Sequence, residues 1–197
     1  MTSAPPPQQP PWRVLLAGLR ASGKSTIGPR LAERLFPGAA GAFADLDALT
    51  LAELGADSVA QAWARVGQRG FREAEARALM GVLRRDVPPR GLVLALGGGT
   101  PTATGVPDLI EAERQRAPLV VVYLHATPAL LQARLRRTDL ALRPGITGDD
   151  PIAEVARLYA ERDPLYRRLA DVVVEVEGLD APAAADTVAA AVWPRGR

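Results

Sequence analysis

The sequence predicts a three-layer α/β/α fold built on a five-stranded parallel sheet. Three observations lead there. Short apolar runs alternate with segments of helical periodicity along the chain. The runs are continuously apolar, as in strands covered on both faces of a parallel sheet. The first of them, Val14-Leu15-Leu16-Ala17, passes directly into Gly18-Leu-Arg-Ala-Ser-Gly-Lys-Ser25, a glycine-rich turn of the kind that carries a strand into a helix.

Residues 1–11 hold five prolines and two glutamines without apolar periodicity and are expected to form a disordered tail. The first strand is expected at Arg13–Ala17. A helix follows from Lys24 to Phe36, with Ile27, Leu31 and Leu35 on one side and Pro37-Gly38 as its stop. The second strand is expected at Ala42–Asp47. The helical region behind it is cut at Gly55 and restarts at the capping-box pattern Ser58-x-x-Gln61. A further helix is expected at Phe71–Arg85, a third strand at Leu92–Leu96, a loop at Thr100–Pro107 and a short helix at Asp108–Gln115. The fourth strand, Leu119–Leu124, precedes Thr127-Pro128, a hydroxyl cap with proline at the first helical position, and a helix to about Arg137. Residues 138–150 lack periodicity and contain Gly145 and Gly148, which predicts a mobile lid. A helix from Asp150-Pro151 to Glu161 or slightly beyond, a strand at Val172–Val176 and a helix at Ala181–Val192 complete the chain. One domain spanning 12–197 accounts for all of this, without internal repeats.

Bulk properties exclude several function classes. Apolar content of 48% and charged content of 23% suit a soluble globular domain. A formal charge of +2 without single-sign blocks gives no nucleic-acid footprint. No apolar run is long enough for a bilayer, and no secretory signal pattern is present. The absence of cysteine suits a reducing compartment. A cytoplasmic protein is expected, with no nucleic-acid or membrane partner.

The glycine-rich turn is an anion site. Successive backbone N–H groups curl around phosphates, and the first turn of the helix adds its partial positive charge. Lys24 is the only lysine among 24 basic Lys and Arg residues, and it stands where a compact ammonium fits and a planar guanidinium does not. Ser25 supplies a hydroxyl suited to magnesium.

In open parallel sheets ligands bind beyond the carboxyl ends of the strands. Asp45 and Asp47 end the second strand. In an extended chain they would lie on one side, about 6–7 Å apart, one for magnesium and one for a substrate hydroxyl; a polar turn would read the same way in isolation. Gly97-Gly98-Gly99 ends the third strand and either admits a close approach of backbone to ligand or forms a turn needing positive φ. The third strand therefore carries no terminal Asp for magnesium, which disfavours GTPases and motor ATPases and favours a small-molecule kinase. Arg72 and Glu75 share a helix face, as a surface ion pair also would. Arg143 lies in the expected lid, where an arginine can close over a transferring phosphoryl group. His125 is expected to be a solvated residue at the end of the fourth strand.

Together these pieces resemble the shikimate kinases, a branch of the P-loop proteins of the nucleoside-monophosphate-kinase type. The resemblance runs from about Arg13 to Val176. It rests on Gly-x-x-x-x-Gly-Lys-Ser-Thr-Ile-Gly at 18–28, Phe-x-Asp-x-Asp at 43–47, Phe-Arg-x-x-Glu at 71–75, the triple glycine at 97–99, Arg-Pro at 143–144 and Glu-Arg-x-Pro-Leu-Tyr at 161–166. It implies ATP-dependent phosphorylation of the 3-hydroxyl of shikimate, with Mg2+ as cofactor, in a monomer. It further implies that Ala21, Ser22, Gly23, Lys24, Ser25, Thr26, Arg137 and Arg143 bind ATP. Asp47, Arg72, Glu75, Gly97, Gly98, Gly99 and Arg162 would bind shikimate, with Asp47 as proton acceptor and Glu75 orienting Arg72. Lys24, Asp47 and Arg143 would be catalytic, and Ser25 and Asp45 would organise the metal. Departures from the family pattern are Arg20-Ala21 in the phosphate loop, Arg143-Pro-Gly-Ile in the lid, and Glu177-Gly-Leu-Asp180, which lacks the usual basic residue near adenine. A related kinase for another hydroxy acid such as gluconate, or a non-catalytic shikimate- or ATP-binding module, would share much of this pattern.

Overall fold

Five strands form one parallel sheet in the spatial order β2-β3-β1-β4-β5: β1 (Trp12–Ala17), β2 (Phe43–Asp45), β3 (Gly91–Ala95), β4 (Leu119–His125) and β5 (Val172–Glu175). The computed structural model describes residues 12–84, 91–137 and 150–192. The expected tail at 1–11 and the lid with Arg143 lie outside the described residues. Helices α1 (Lys24–Leu35), α2 (Leu46–Leu54), α3 (Val59–Arg84), α4 (Val106–Arg114), α5 (Pro128–Leu135), α6 (Val155–Leu169) and α7 (Ala181–Val192) cover the sheet. Among the described residues no helix is long and apolar enough to cross a membrane.

The central strand shows why both faces are covered. Val14 and Leu16 pack with Ile27 and Leu31 of α1 and Val188 of α7. The alternate residues Leu15 and Ala17 pack with Leu79 and Leu83 of α3 and Ile110 of α4 on the other face. All four strand residues are buried, which the continuous apolar pattern requires. Register then places the chemistry. Leu16 and Asp45 both pair with Ala95, so the ends of β1, β2 and β3 share one rim. The phosphate loop, the aspartates and the triple glycine all emerge there.

Several expectations are corrected. Asp47 is not in a strand. Asp45 caps α2 by accepting the Asp47 N–H at 3.0 Å, which turns the chain into a helix two residues early. The helical stretches expected on either side of Gly67 run on as α3, broken at Gly67 itself, where φ is 69° and ψ is 172°. The loop expected at 100–107 contains a 3₁₀ turn, Thr100–Thr102, and the start of α4. The sixth helix begins at Val155 and continues through Pro164 to Leu169, because buried Tyr166 anchors the turn beyond the missing proline N–H.

Candidate active site

The phosphate loop is held by two cations. Lys24 Nζ donates to Gly18 O at 2.8 Å, Leu19 O at 2.9 Å and Ser22 Oγ at 3.3 Å. Arg134 of α5 donates through Nη1 to Ala21 O and Ser22 O, both at 3.2 Å. Four loop carbonyls are thereby occupied. The N–H groups of Ala21 and Gly23 make no hydrogen bond within the described residues, which leaves them for an anion. Ala21 is the one non-glycine residue with left-handed φ (67°) among the described residues, so the turn keeps a glycine-like conformation without glycine. Ser25 Oγ donates to Asp45 Oδ2 at 2.5 Å, so a hydroxyl and a carboxylate stand together at the mouth of the loop. Thr26 is exposed beside them.

Opposite the loop, each glycine of the triplet solves a different steric problem. A Cβ on Gly97 would overlap Glu75 Oε1 and approach Asp47 Oδ1 to 2.7 Å. One on Gly98 would stand 3.0 Å from the backbone N of Arg20, in the phosphate loop. One on Gly99 would overlap the Arg72 guanidinium. None of the three has a left-handed φ, so close approach and not turn geometry demands glycine here.

Arg72 donates to Glu75 Oε2 at 2.5 Å, and Glu75 has no exposed surface. With Glu75 buried and Arg72 partly so, this is a directed pair and not the surface ion pair that the spacing alone allowed. The other Glu75 oxygen accepts from Thr100 Oγ1. Across the triplet, α6 delivers Arg162 Nη1 to Gly98 O at 2.9 Å and Tyr166 OH to the same oxygen at 2.6 Å. Burial is the main force pushing the Tyr166 phenol up to about 12. Both guanidinium groups keep donors that no acceptor among the described residues takes, and both line the same cavity.

That cavity has a volume of about 430 Å³, enough for a small acid beside phosphates. Arg20, Lys24, Arg72 and Arg162 line it against Asp47 and Glu154. The excess of cations suits anionic ligands. Val59, Trp63 and Phe71 add an apolar wall, with the two aromatic rings edge to face at 6.3 Å.

One expected position differs. His125 is buried, not solvated: its Nδ1 meets Glu175, and its Nε2 lies 2.7 Å from the Tyr159 hydroxyl. Tyr123, just before it, donates to Asp163 at 2.9 Å, and burial followed by that bond raises its phenol pKa. The pair ties β4 to α6, the helix that carries Arg162. Arg137 is exposed in the turn after α5 and is not among the cavity residues; the arginine that reaches the loop is Arg134. Spacing could not single out Arg134 among neighbouring arginines. Tyr166 lay in plain sight inside Glu-Arg-x-Pro-Leu-Tyr, without an evident role.

Comparison with known proteins agrees with this geometry. The sequence model of the shikimate kinase family matches residues 20–192. A shikimate kinase of Halorhodospira halophila is 41% identical over 168 residues, covering 85% of this chain and 86% of the relative. One of Oleidesulfovibrio alaskensis is 38% identical, covering 83% and 87%. The solved structure of shikimate kinase from Acinetobacter baumannii in complex with shikimate superposes with a TM-score of 0.76 at 30% identity, covering 92% of each chain. With a phosphate loop facing two arginines across the glycine triplet, and with likeness along nearly its whole length, this chain belongs to the shikimate kinase family.

Proposed function

We propose that this protein transfers the γ-phosphoryl group of ATP to the 3-hydroxyl of shikimate, releasing ADP and shikimate 3-phosphate for aromatic amino acid biosynthesis in the cytoplasm. The observation that carries the reading is the pair Arg72 and Arg162, anchored on either side of the glycine triplet with donors left over and facing the phosphate loop across one cavity. Guanidinium groups bind carboxylates through paired N–H donors, so the two suit the ring carboxylate. The apolar wall of Val59, Trp63 and Phe71 suits the carbon face of the ring.

In the reaction the acceptor oxygen attacks the γ-phosphorus in line, the bond to the β-bridging oxygen breaks, and ADP leaves with that oxygen. Asp47 accepts the hydroxyl proton. It is held beside Gly97, on the acceptor side of the cavity. The N–H groups at Ala21, Ser22 and Gly23, with Ser25 and Thr26, hold the nucleotide phosphates, and Lys24 turns from loop carbonyls to phosphate oxygens. Arg143 closes from the lid and neutralises charge developing on the phosphoryl group. Gly98 and Gly99 let the acceptor approach the backbone, and Arg137 faces the nucleotide base. Magnesium, when bound with ATP, neutralises phosphate charge. Ser25 and Asp45 would hold it, because their adjacent oxygens are two hard ligands of the kind magnesium takes.

A coupled ADP-release assay with Mg2+ tests this. We expect turnover that depends on shikimate and not on gluconate. Arg143→Ala should lower kcat far more than shikimate affinity. Absence of shikimate-dependent ADP release from folded protein overturns the proposal.

A further inference from the structure

We infer that Thr100 is a positioning residue for recognition of the acceptor carboxylate, acting through Glu75 on Arg72. This rests on the reading of Arg72 as half of the carboxylate clamp. Thr100 and Glu75 both have no exposed surface. The two oxygens of Glu75 have separate duties: Oε2 takes Arg72 Nη1 at 2.5 Å, and Oε1 takes the Thr100 hydroxyl. A carboxylate with one oxygen bonded can rotate about its terminal torsion, which is soft. With both oxygens bonded the plane is set, and with it the direction in which Arg72 is pulled. Arg72 then presents its remaining donors to the cavity from one orientation.

The hydroxyl is itself fixed by the backbone. Thr100 opens the 3₁₀ turn, with its N–H donating to Gly97 O at 3.1 Å and its carbonyl accepting from Ala103 N at 3.0 Å. Thr102 closes the same turn by donating through Oγ1 to Gly99 O at 2.7 Å. Gly98, between these anchors, offers the carbonyl that holds Arg162. One four-residue stretch, 97–100, therefore sets both arginines: Arg162 directly through Gly98 O, and Arg72 through Thr100 and Glu75. Gly97 and Gly99 lack side chains so that Glu75 and Arg72 can lie against this stretch. The separation of the two arginines is thus referred to a single turn at the end of β3, and Thr100 is the side chain of that turn that bonds Glu75.

Thr100→Val keeps shape and removes the donor, leaving Glu75 Oε1 buried and unpaired. We expect the KM for shikimate to rise about tenfold, in line with loss of a hydrogen bond to a charged group. The KM for ATP should stay within about twofold, and kcat should fall less than the shikimate KM rises. Thr100→Ser, which restores the donor, should return the shikimate KM to within about twofold of wild type. The wild-type preference for shikimate over its carboxamide should shrink in Thr100→Val, because the defect lies in carboxylate recognition. If Thr100→Val does not fold, Thr100→Ala takes its place with the same expectations. An unchanged shikimate KM, an equal rise in both KM values, or failure of Thr100→Ser to restore affinity overturns the inference. Shikimate-dependent turnover of the wild type in the same assay separates that failure from failure of the proposed function.

Discussion

Tyr166 and Arg162, one turn apart on α6, donate to the same acceptor, the carbonyl oxygen of Gly98, at 2.6 and 2.9 Å. A carbonyl has two lone pairs, and here both are used to fasten a helix to the end of a strand. The consequence is functional, since the helix so fastened carries an arginine facing the cavity.

Tyr166→Phe removes one of these bonds with little change in volume. We expect a loss of stability of about 1 kcal/mol in denaturant unfolding. The shikimate KM should rise a few-fold because Arg162 loses its neighbour on the carbonyl. No change in either quantity would show that Arg162 alone holds the contact.

Tyr166 also sets an alkaline limit. Its phenol is raised to about 12 in the folded protein, mainly by burial, while the unfolded chain releases that proton near pH 10. The folded pKa lies above the unfolded one, so this contribution is complete below pH 10 and is lost as pH rises towards 12. Stability should therefore fall across that window, and Tyr166→Phe should flatten part of the fall. Identical pH profiles for the two proteins would contradict this.

Gly99→Ala places a methyl group against the Arg72 guanidinium. We expect the shikimate KM to rise about tenfold or more with the ATP KM nearly unchanged, as suits displacement of one clamp residue. Gly97→Ala, which drives a methyl group against buried Glu75, should raise the shikimate KM as well and in addition cost stability, about 1–3 kcal/mol. Thermal melting beside steady-state kinetics distinguishes the two.

Ala21→Gly removes a left-handed alanine, which costs about 1–2 kcal/mol. Glycine returns roughly 0.4–1 kcal/mol of that through greater freedom of the unfolded chain. The net expectation is a gain of up to about 1.5 kcal/mol in denaturant unfolding. A clear loss would mean that the alanine methyl group makes a contact worth more than its strain.

Arg134→Ala frees the carbonyls of Ala21 and Ser22 in the phosphate loop. The KM for ATP should rise several-fold to tenfold, with the shikimate KM little affected, because the loop loses the cation that keeps its N–H groups facing the nucleotide. Equal effects on both substrates would indicate a general disturbance of α5.

The strands and the phosphate loop were legible because their signals are local. An apolar run flanked by turn residues needs two covered faces, and the glycine-rich turn with Lys24 has one chemical use at that spacing. Asp45 and Asp47 were legible as a pair but not as a geometry: the cap that Asp45 places on α2 competes with strand extension, and the cap wins. His125 could not be read as buried, because Glu175, Tyr159 and Asp163 come to it from distant parts of the chain.

By itself the sequence determined the α/β alternation, the nucleotide loop and, through six spaced motifs, the expected acceptor. Tertiary structure decided which arginines matter and why. Arg134 meets Ala21 across 113 residues, and Arg162 meets Gly98 across 64, so no spacing rule connects them. Only folding brings these groups to the one rim where β1, β2 and β3 end. There the close packing of glycine backbone against Glu75, Arg20 and Arg72 turns a flexible-looking triplet into the reference for the site.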